Sequence, residues 1–246
     1  LLHPHPALLL SKGGRRYLII SDLHIGFEEK YATAGVNIQG SVEAMAKTLS
    51  TLLKEQRPDR LIILGDVKYS IDRISNLEWR EVPRFLEEAS KKVKTIIIPG
   101  NHDGMLTPLL PRNIILLDKP SLLIGKNGLL HGHTKLPNEI LPAKRLIMGH
   151  IHPGYSRKGS PLSGQPVWLL LKVEKRLLFK EAKSEDLEIY VIPAFNKELM
   201  WTGFTTTRER IISPILRRVC EGIREAVIMT LEGDILGGLE SLEYVL

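Results

Sequence analysis

Six of the eight histidines in this chain fall in four short clusters: Asp22-Leu23-His24, Asn101-His102-Asp103, His131-Gly132-His133 and His150-Ile151-His152. Asp66 stands between the first two clusters. Imidazole, carboxylate and side-chain amide are donors suited to metal cations of intermediate hardness. Two such cations about 3.5–4 Å apart can clamp the attacking and leaving oxygens of a phosphate ester. The chemistry these residues point to is two-metal hydrolysis.

The clusters do not fall at random places in the chain. Each closes an apolar run of strand length: Tyr17–Ile20 before Asp22, Leu61–Leu64 before Asp66, Thr95–Ile98 before Asn101, Leu129–Leu130 before His131, and Leu146–Met148 before His150. Continuous rather than alternating apolar runs are expected of strands buried on both faces and covered by helices. Ser41–Gln56, with Met45, Leu49, Leu52 and Leu53, and Trp79–Lys91, with Val82, Phe85, Leu86 and Ala89, have the helical spacing to supply that cover. A βαβαβ order results. Sites in open α/β sheets gather beyond the carboxyl ends of the strands, which is where the five polar clusters lie.

After Pro153 the pattern becomes rich in strands: Gln165–Val173, Arg176–Lys180, Leu187–Ala194, and a hairpin of Ala226–Leu231 with Asp234–Leu236. Residues 154–164 read as a connecting loop, and Leu1–Leu10 as a first strand or ordered arm. We expect one α/β domain over residues 1–246, a four-layer sandwich in which the C-terminal strands build a second sheet. Its motif-bearing half would span 15–155 and its β-rich half 156–246.

Composition narrows the setting. The single Cys220 leaves no internal disulfide and no Cys-x-x-Cys zinc pair, which fits a reducing cytoplasm. No apolar run reaches the roughly 18 residues a membrane span needs, and Leu1–Leu10 lacks the basic leader of a signal peptide. A net charge of +6 favours an anionic partner, although the basic residues are dispersed among acidic ones. Few Gln and Cys beside many Lys, Arg and Glu lean towards a thermophile. Phe27, Tyr69, Tyr155 and Trp201 are read as core aromatics rather than base-stacking platforms.

Asp22 and His24, two apart in extended chain, point the same way and can grip one cation from one edge. Asp66 follows a buried run directly, where an unpaired carboxylate is costly unless it binds metal or caps a helix. The ordered series Asp-x-His, Gly-Asp, Gly-Asn-His-Asp, His-Gly-His and Gly-His-x-His resembles the calcineurin-like metallophosphoesterase superfamily. Ser21–Glu28, Gly65–Lys68 and the chain length are similar to an archaeal branch related to the SbcD-type nuclease subunit and to bacterial ligase-associated phosphoesterases.

The resemblance implies an αββα fold and a dinuclear divalent centre. Asp22, His24 and His152 would hold one metal, Asn101, His131 and His150 the other, and Asp66 would bridge both, so that an amide at position 66 should cripple the site. A metal-bridging hydroxide would attack phosphorus in line. His102 would face substrate as phosphoryl stabiliser or proton donor to the leaving oxygen, with Asp103 fixing its ring. His133 would hydrogen-bond a ligand or touch substrate, the former being favoured. Manganese suits the mixed donors best, ahead of iron, zinc, nickel or magnesium.

Many relatives carry an acidic residue three positions after the Gly-Asp aspartate, whereas here Val67, Lys68 and Tyr69 follow. Lys68 would reach a substrate phosphate or form a salt bridge at the pocket rim. The chain after His152 leaves little for a large DNA-capping domain. The reading is therefore a phosphodiesterase of nucleic acid, single strands included, or nucleotides. Phosphomonoester or cyclic-nucleotide hydrolysis is the alternative, and a non-catalytic scaffold of the same fold the remoter one. Oligomeric state is not readable.

Overall fold

The computed structural model describes residues 1–33, 40–182, 184–199 and 213–245. Trp201 lies outside them. Two sheets carry the architecture. The first has the order β1-β2-β3-β4-β5, built from β1 (Leu8–Lys12), β2 (Arg15–Ile20), β3 (Arg60–Leu64), β4 (Lys94–Ile98) and β5 (Ile115–Leu116). Strands β2 to β5 are parallel and β1 closes one edge antiparallel to β2. Short helix α1 (Glu28–Thr33) follows β2. The crossovers are α2 (Ser41–Gln56) and α3 (Asn76–Ser90), giving the βαβαβ order expected.

The second sheet runs β12-β11-β9-β10-β8-β7-β6. Its strands are β6 (Ser121–Ile124), β7 (Asn127–Leu130), β8 (Arg145–Met148), β9 (Val167–Glu174), β10 (Asp186–Val191), β11 (Ile223–Thr230) and β12 (Ile235–Gly237), with α4 (Pro214–Val219) between β10 and β11. Three apolar layers show why the strand runs are continuous. Leu18, Ile20, Leu61, Ile63 and Ile97 face Met45, Leu49, Val82 and Phe85 of the helices. Their neighbours Ile19, Ile62, Leu64 and Ile98 point the other way, onto Leu129, Ile147 and Trp168 of the second sheet and Ile192 just after β10. The far side of that sheet packs Met148, Leu169 and Val191 against Ile215, Leu216 and Val219 of α4. Helix, sheet, sheet and helix make the αββα order.

Three expectations are corrected. The second sheet starts at β6, not beyond residue 155, so β7 and β8, which lead to His131 and His150, belong to it and not to the first sheet. A hairpin turning at Gly125 with φ of 62° pairs β6 with β7, and its short strands carry too few residues to stand out in sequence. Arg176–Lys180 is not a strand: Lys175–Leu177 form a 3-10 turn, because Lys175 donates to Glu185 and its carbonyl accepts from Leu178 and Phe179. Helix α3 begins at Asn76 rather than Trp79. Ser75 accepts from the Glu78 N–H while the Glu78 carboxylate accepts from the Ser75 N–H, a reciprocal cap.

Candidate metal centre

The loops that leave β2 and β3 run side by side: Asp22 N–H donates to Gly65 O, Leu23 and His24 N–H to Asp66 O, and Ile25 N–H to Val67 O. Asp22 and Asp66 thereby become neighbours although 44 residues separate them in sequence. The loop after β8 joins them through the His150 N–H, which donates to Asp22. Ser21 O and Asp22 O in turn accept from Phe195 and Asn196 N–H, and the Asn196 side chain donates to Leu23 O. Four strand ends, from both sheets, meet here.

Tight convergence has a backbone signature. Of the six non-glycine residues with positive φ among those described, five are Asp22, His24, Asp66, His150 and His152, with φ between 42° and 75°. Left-handed backbone costs an L-residue free energy and persists where the surroundings over-determine it, as at functional sites. Glycine makes the approach possible. A Cβ on Gly149 would lie 1.8 Å from Ser21 Oγ and 2.3 Å from Asp22 Oδ2, and one on Gly100 2.2 Å from Asp66 Oδ1.

The donor atoms form two groups that could hold a metal ion: Asp22, His24, Asp66 and His152, and Asp66, His131 and His150. Asp66 is common to both. In the first, His24 Nε2 lies 3.1 Å from His152 Nε2 and 3.4 Å from Asp66 Oδ2, and His152 Nε2 lies 3.2 Å from Asp22 Oδ1. In the second, His131 Nε2 lies 3.2 Å from both Asp66 Oδ2 and Asn101 Oδ1. His131 Nδ1 faces Leu64 O at 2.7 Å, which fixes its tautomer and leaves Nε2 as a lone-pair donor toward Asp66 and Asn101 when the ring is neutral.

The electrostatics fit cations. Burial opposes ionisation of Asp22, yet His152 and His131 hold its carboxyl at about 2. Asp66 is likewise held far below the carboxylate range against its burial, first by His131 and then by His24 and His102. Burial and then His152 push His24 down to about 3, and burial with His131 pushes His150 to about 4, so both rings are neutral. His131 is the exception: despite burial, Asp66 and Asp22 raise it to about 9. Two ionised carboxylates among neutral imidazoles, in a buried pocket, form a cation-binding environment. A proton on His131 is the charge such a site takes when nothing stronger competes.

The remaining expected residues divide. His102 reaches the cluster, its Nε2 3.9 Å from Asp66 Oδ2, while its Nδ1 bonds the Tyr69 carbonyl. Asp103 does not fix that ring. Its two oxygens accept from the N–H groups of Asp66, Val67 and Gly100, so it organises backbone beneath the site. Among the described residues Lys68 forms no salt bridge, and it does not stand at a rim. It is fully buried, and its ammonium donates to the Ser70 and Arg73 carbonyls of its own loop, which replace the water or phosphate a rim would offer. His133 lies beside the cluster, its ring 5.3 Å from that of His131, and makes no hydrogen bond to a ligand residue among the described residues.

Three contributors were missed in sequence. Tyr69, read as core, is half-buried beside the site, its ring edge-on to His24 at 5.9 Å. Glu78, fully buried, accepts from the Tyr69, Ser70 and Ser75 N–H groups and so shapes the loop that presents the Tyr69 carbonyl. Its signal was legible as Ser75-x-x-Glu78. Asn196 follows the apolar run of β10 just as the histidine clusters follow theirs.

The calcineurin-like phosphoesterase family model matches residues 15–178. Among solved structures, the nuclease MPE of Pseudomonas putida is similar with a TM-score of 0.55 at 17% identity, over 98% of this chain and 100% of that one. YfcE, a phosphoesterase from E. coli, gives 0.40 at 15%, over 92% and 98%. An archaeal phosphodiesterase gives 0.35 at 18%, over 71% and 98%. No curated protein matches. The family match takes in the loops bearing Asp22, Asp66, Asn101, His131 and His150, and the chain belongs to the calcineurin-like phosphoesterases, metal-dependent hydrolases of phosphate esters.

Proposed function

We propose that the chain is a phosphodiesterase of nucleic acid or nucleotides, with Asp22, His24 and His152 holding one divalent cation, Asn101, His131 and His150 a second, and Asp66 serving both. The observation that carries this is the pair of donor groups meeting at Asp66. Manganese is the metal we favour, since the donors mix imidazole, carboxylate and amide. When bound, two such cations supply a water acidic enough to attack phosphorus in line at neutral pH and neutralise charge on the phosphoryl oxygens.

The chain's own groups do the rest. His102, oriented by the Tyr69 carbonyl, turns Nε2 toward the cluster and is placed to hold a phosphoryl oxygen or protonate the departing one. Asp103 keeps the 66–67 and 100–103 loops in register, and His133 borders the substrate side. The net charge of +6 supports a polyanionic substrate, and the fold shared with nuclease MPE is consistent with one. Among the described residues no helix is long and apolar enough to cross a membrane. The apolar layer shared by both sheets supports one catalytic domain, and the lone Cys220 a reducing cytoplasm.

The test is chelation followed by add-back of single metals. Hydrolysis of bis-p-nitrophenyl phosphate should vanish on chelation and return best with manganese, while p-nitrophenyl phosphate is cut more slowly. Activity surviving thorough chelation rules the mechanism out, and a preference for the monoester replaces the diesterase reading.

A further inference from the structure

A second concave site lies on the arm that follows His131. A cavity of about 290 Å³ is floored by Leu136, Leu178, Phe179 and Ile215 and rimmed by Lys135, Lys180 and Arg218, with Glu181 and Asn138 at its margin. Leu178, Phe179 and Ile215 are buried, whereas the three cations are exposed. None of the three has a carboxylate partner among the described residues. Three cations against one carboxylate, over an apolar floor containing an aromatic ring, is the composition of a site for an anion that carries a flat apolar group.

The cavity is tied to the metal centre by the chain itself. Lys135 is four residues after His131, so their Cα atoms are at most about 14 Å apart. On the opposite wall, Ser213 Oγ donates to Gly132 O at 2.8 Å, fixing the start of α4 to the loop between His131 and His133. Pro214, Ile215 and Arg218 descend from that anchor into the cavity. A ligand seated there is within a few nucleotides of the cluster around Asp66.

We propose that this cavity binds a nucleotide of a single-stranded nucleic acid remote from the scissile phosphate: Lys135, Lys180 and Arg218 take the phosphate, and the base lies on the apolar floor by Phe179. The inference rests on the nucleic-acid reading above. A duplex is disfavoured, because its bases are already stacked and paired and cannot reach the floor.

The experiment is fluorescence anisotropy of the full chain with a labelled single-stranded octanucleotide across a salt series, beside hydrolysis of bis-p-nitrophenyl phosphate by the wild type. The variants are Lys135→Gln/Lys180→Gln/Arg218→Gln and, in case the triple change disturbs folding, Arg218→Glu alone, each accepted when its unfolding midpoint matches the wild type. The triple variant should bind at least tenfold more weakly. Its slope of log Kd against log salt should be shallower by about 0.7, the contribution of the one single-strand phosphate that the three side chains neutralise. Equal affinity and slope in both variants overturn the proposal, as does failure of the wild type to bind at low salt. In that last case diester hydrolysis still leaves the phosphodiesterase reading standing. Binding without cleavage of the octanucleotide removes the nuclease reading and overturns the proposal with it, since the cavity then serves no scissile phosphate. An unchanged Kd with a shift in sedimentation reassigns the cavity to a second copy of the chain, and overturns it too.

Discussion

The backbone N–H of His150 points at both carboxylate oxygens of Asp22, at 3.2 and 3.1 Å. Asp22 ends a strand of the first sheet and His150 a strand of the second, so this contact joins the two halves of the sandwich at the metal centre. The carboxylate has two uses there: it holds the sheets' ends together and it offers an oxygen toward His152.

Asp22→Asn separates those uses. An amide keeps one acceptor oxygen but turns an NH₂ group into a buried pocket whose His150 N–H was placed to donate to a carboxylate. The expected loss of stability is about 1–3 kcal/mol, as for a buried polar group left without its partner. Metal content, measured by inductively coupled plasma mass spectrometry, should fall as well. A variant that unfolds like the wild type and keeps its metals would show that Asp22 has neither role.

His102→Gln tests chemistry apart from binding. Glutamine can still meet the Tyr69 carbonyl, but its amide cannot serve as a general acid or base. Metal content should be unchanged and kcat should fall by ~10²–10⁴, the span of general acid–base catalysis. Full turnover in this variant would leave His102 with no part in the reaction.

Metal loading should release a proton from a known place. In the metal-free protein His131 is raised to about 9, chiefly by Asp66 against its own burial, while His24 and His150, pushed down to about 3 and about 4, hold none at neutral pH. A histidine whose folded value lies above its unfolded one stabilises the fold fully below about 6.5, and that contribution is lost as pH rises through about 9. The metal-free protein should therefore lose stability between those limits. Calorimetric titration of manganese near pH 8, in buffers of different ionisation enthalpy, should report about one proton released by His131, falling toward zero above pH 10. His131→Ala should abolish that proton.

Much of this was legible because burial and chemistry left separate marks on the chain. Runs such as Leu61–Leu64 and Thr95–Ile98 had to be buried on both faces, and the polar residue after each could only lie at a sheet end. The clusters at Asp22, Asp66, Asn101, His131 and His150 therefore stood out, as did the layered fold. What stayed hidden depended on pairing across distance. Nothing local says that β7 pairs β6 and joins the second sheet, or that Asp103 turns to the backbone of Asp66 and Val67 rather than to the ring beside it. Lys68 misled for a related reason: its charge suggested a rim, but two carbonyls of its own loop satisfy it in the interior.

Glu78 offers the sharpest separation of helix stability from site geometry. Its carboxylate accepts from Tyr69 and Ser70 N–H through one oxygen, at 3.0 and 2.6 Å, and from Ser75 N–H through the other, at 2.7 Å. Glu78→Gln must turn its NH₂ toward one of these donors. When the helix cap is the side that loses, stability falls by about 1–3 kcal/mol. When the loop side loses, the Tyr69 carbonyl shifts and His102 with it, and kcat drops by as much as ~10²-fold with KM unchanged, the effect of misplacing a reacting group by about an ångström. Ser75→Ala removes the cap and leaves the 69–70 loop alone, so it should lower Tm by the equivalent of about 1 kcal/mol without touching kcat. Equal kcat in the two variants, with both Tm values lowered, would confine Glu78 to the helix. A fall in kcat seen only in Glu78→Gln places it in the chain of contacts that aims His102 at the metal centre.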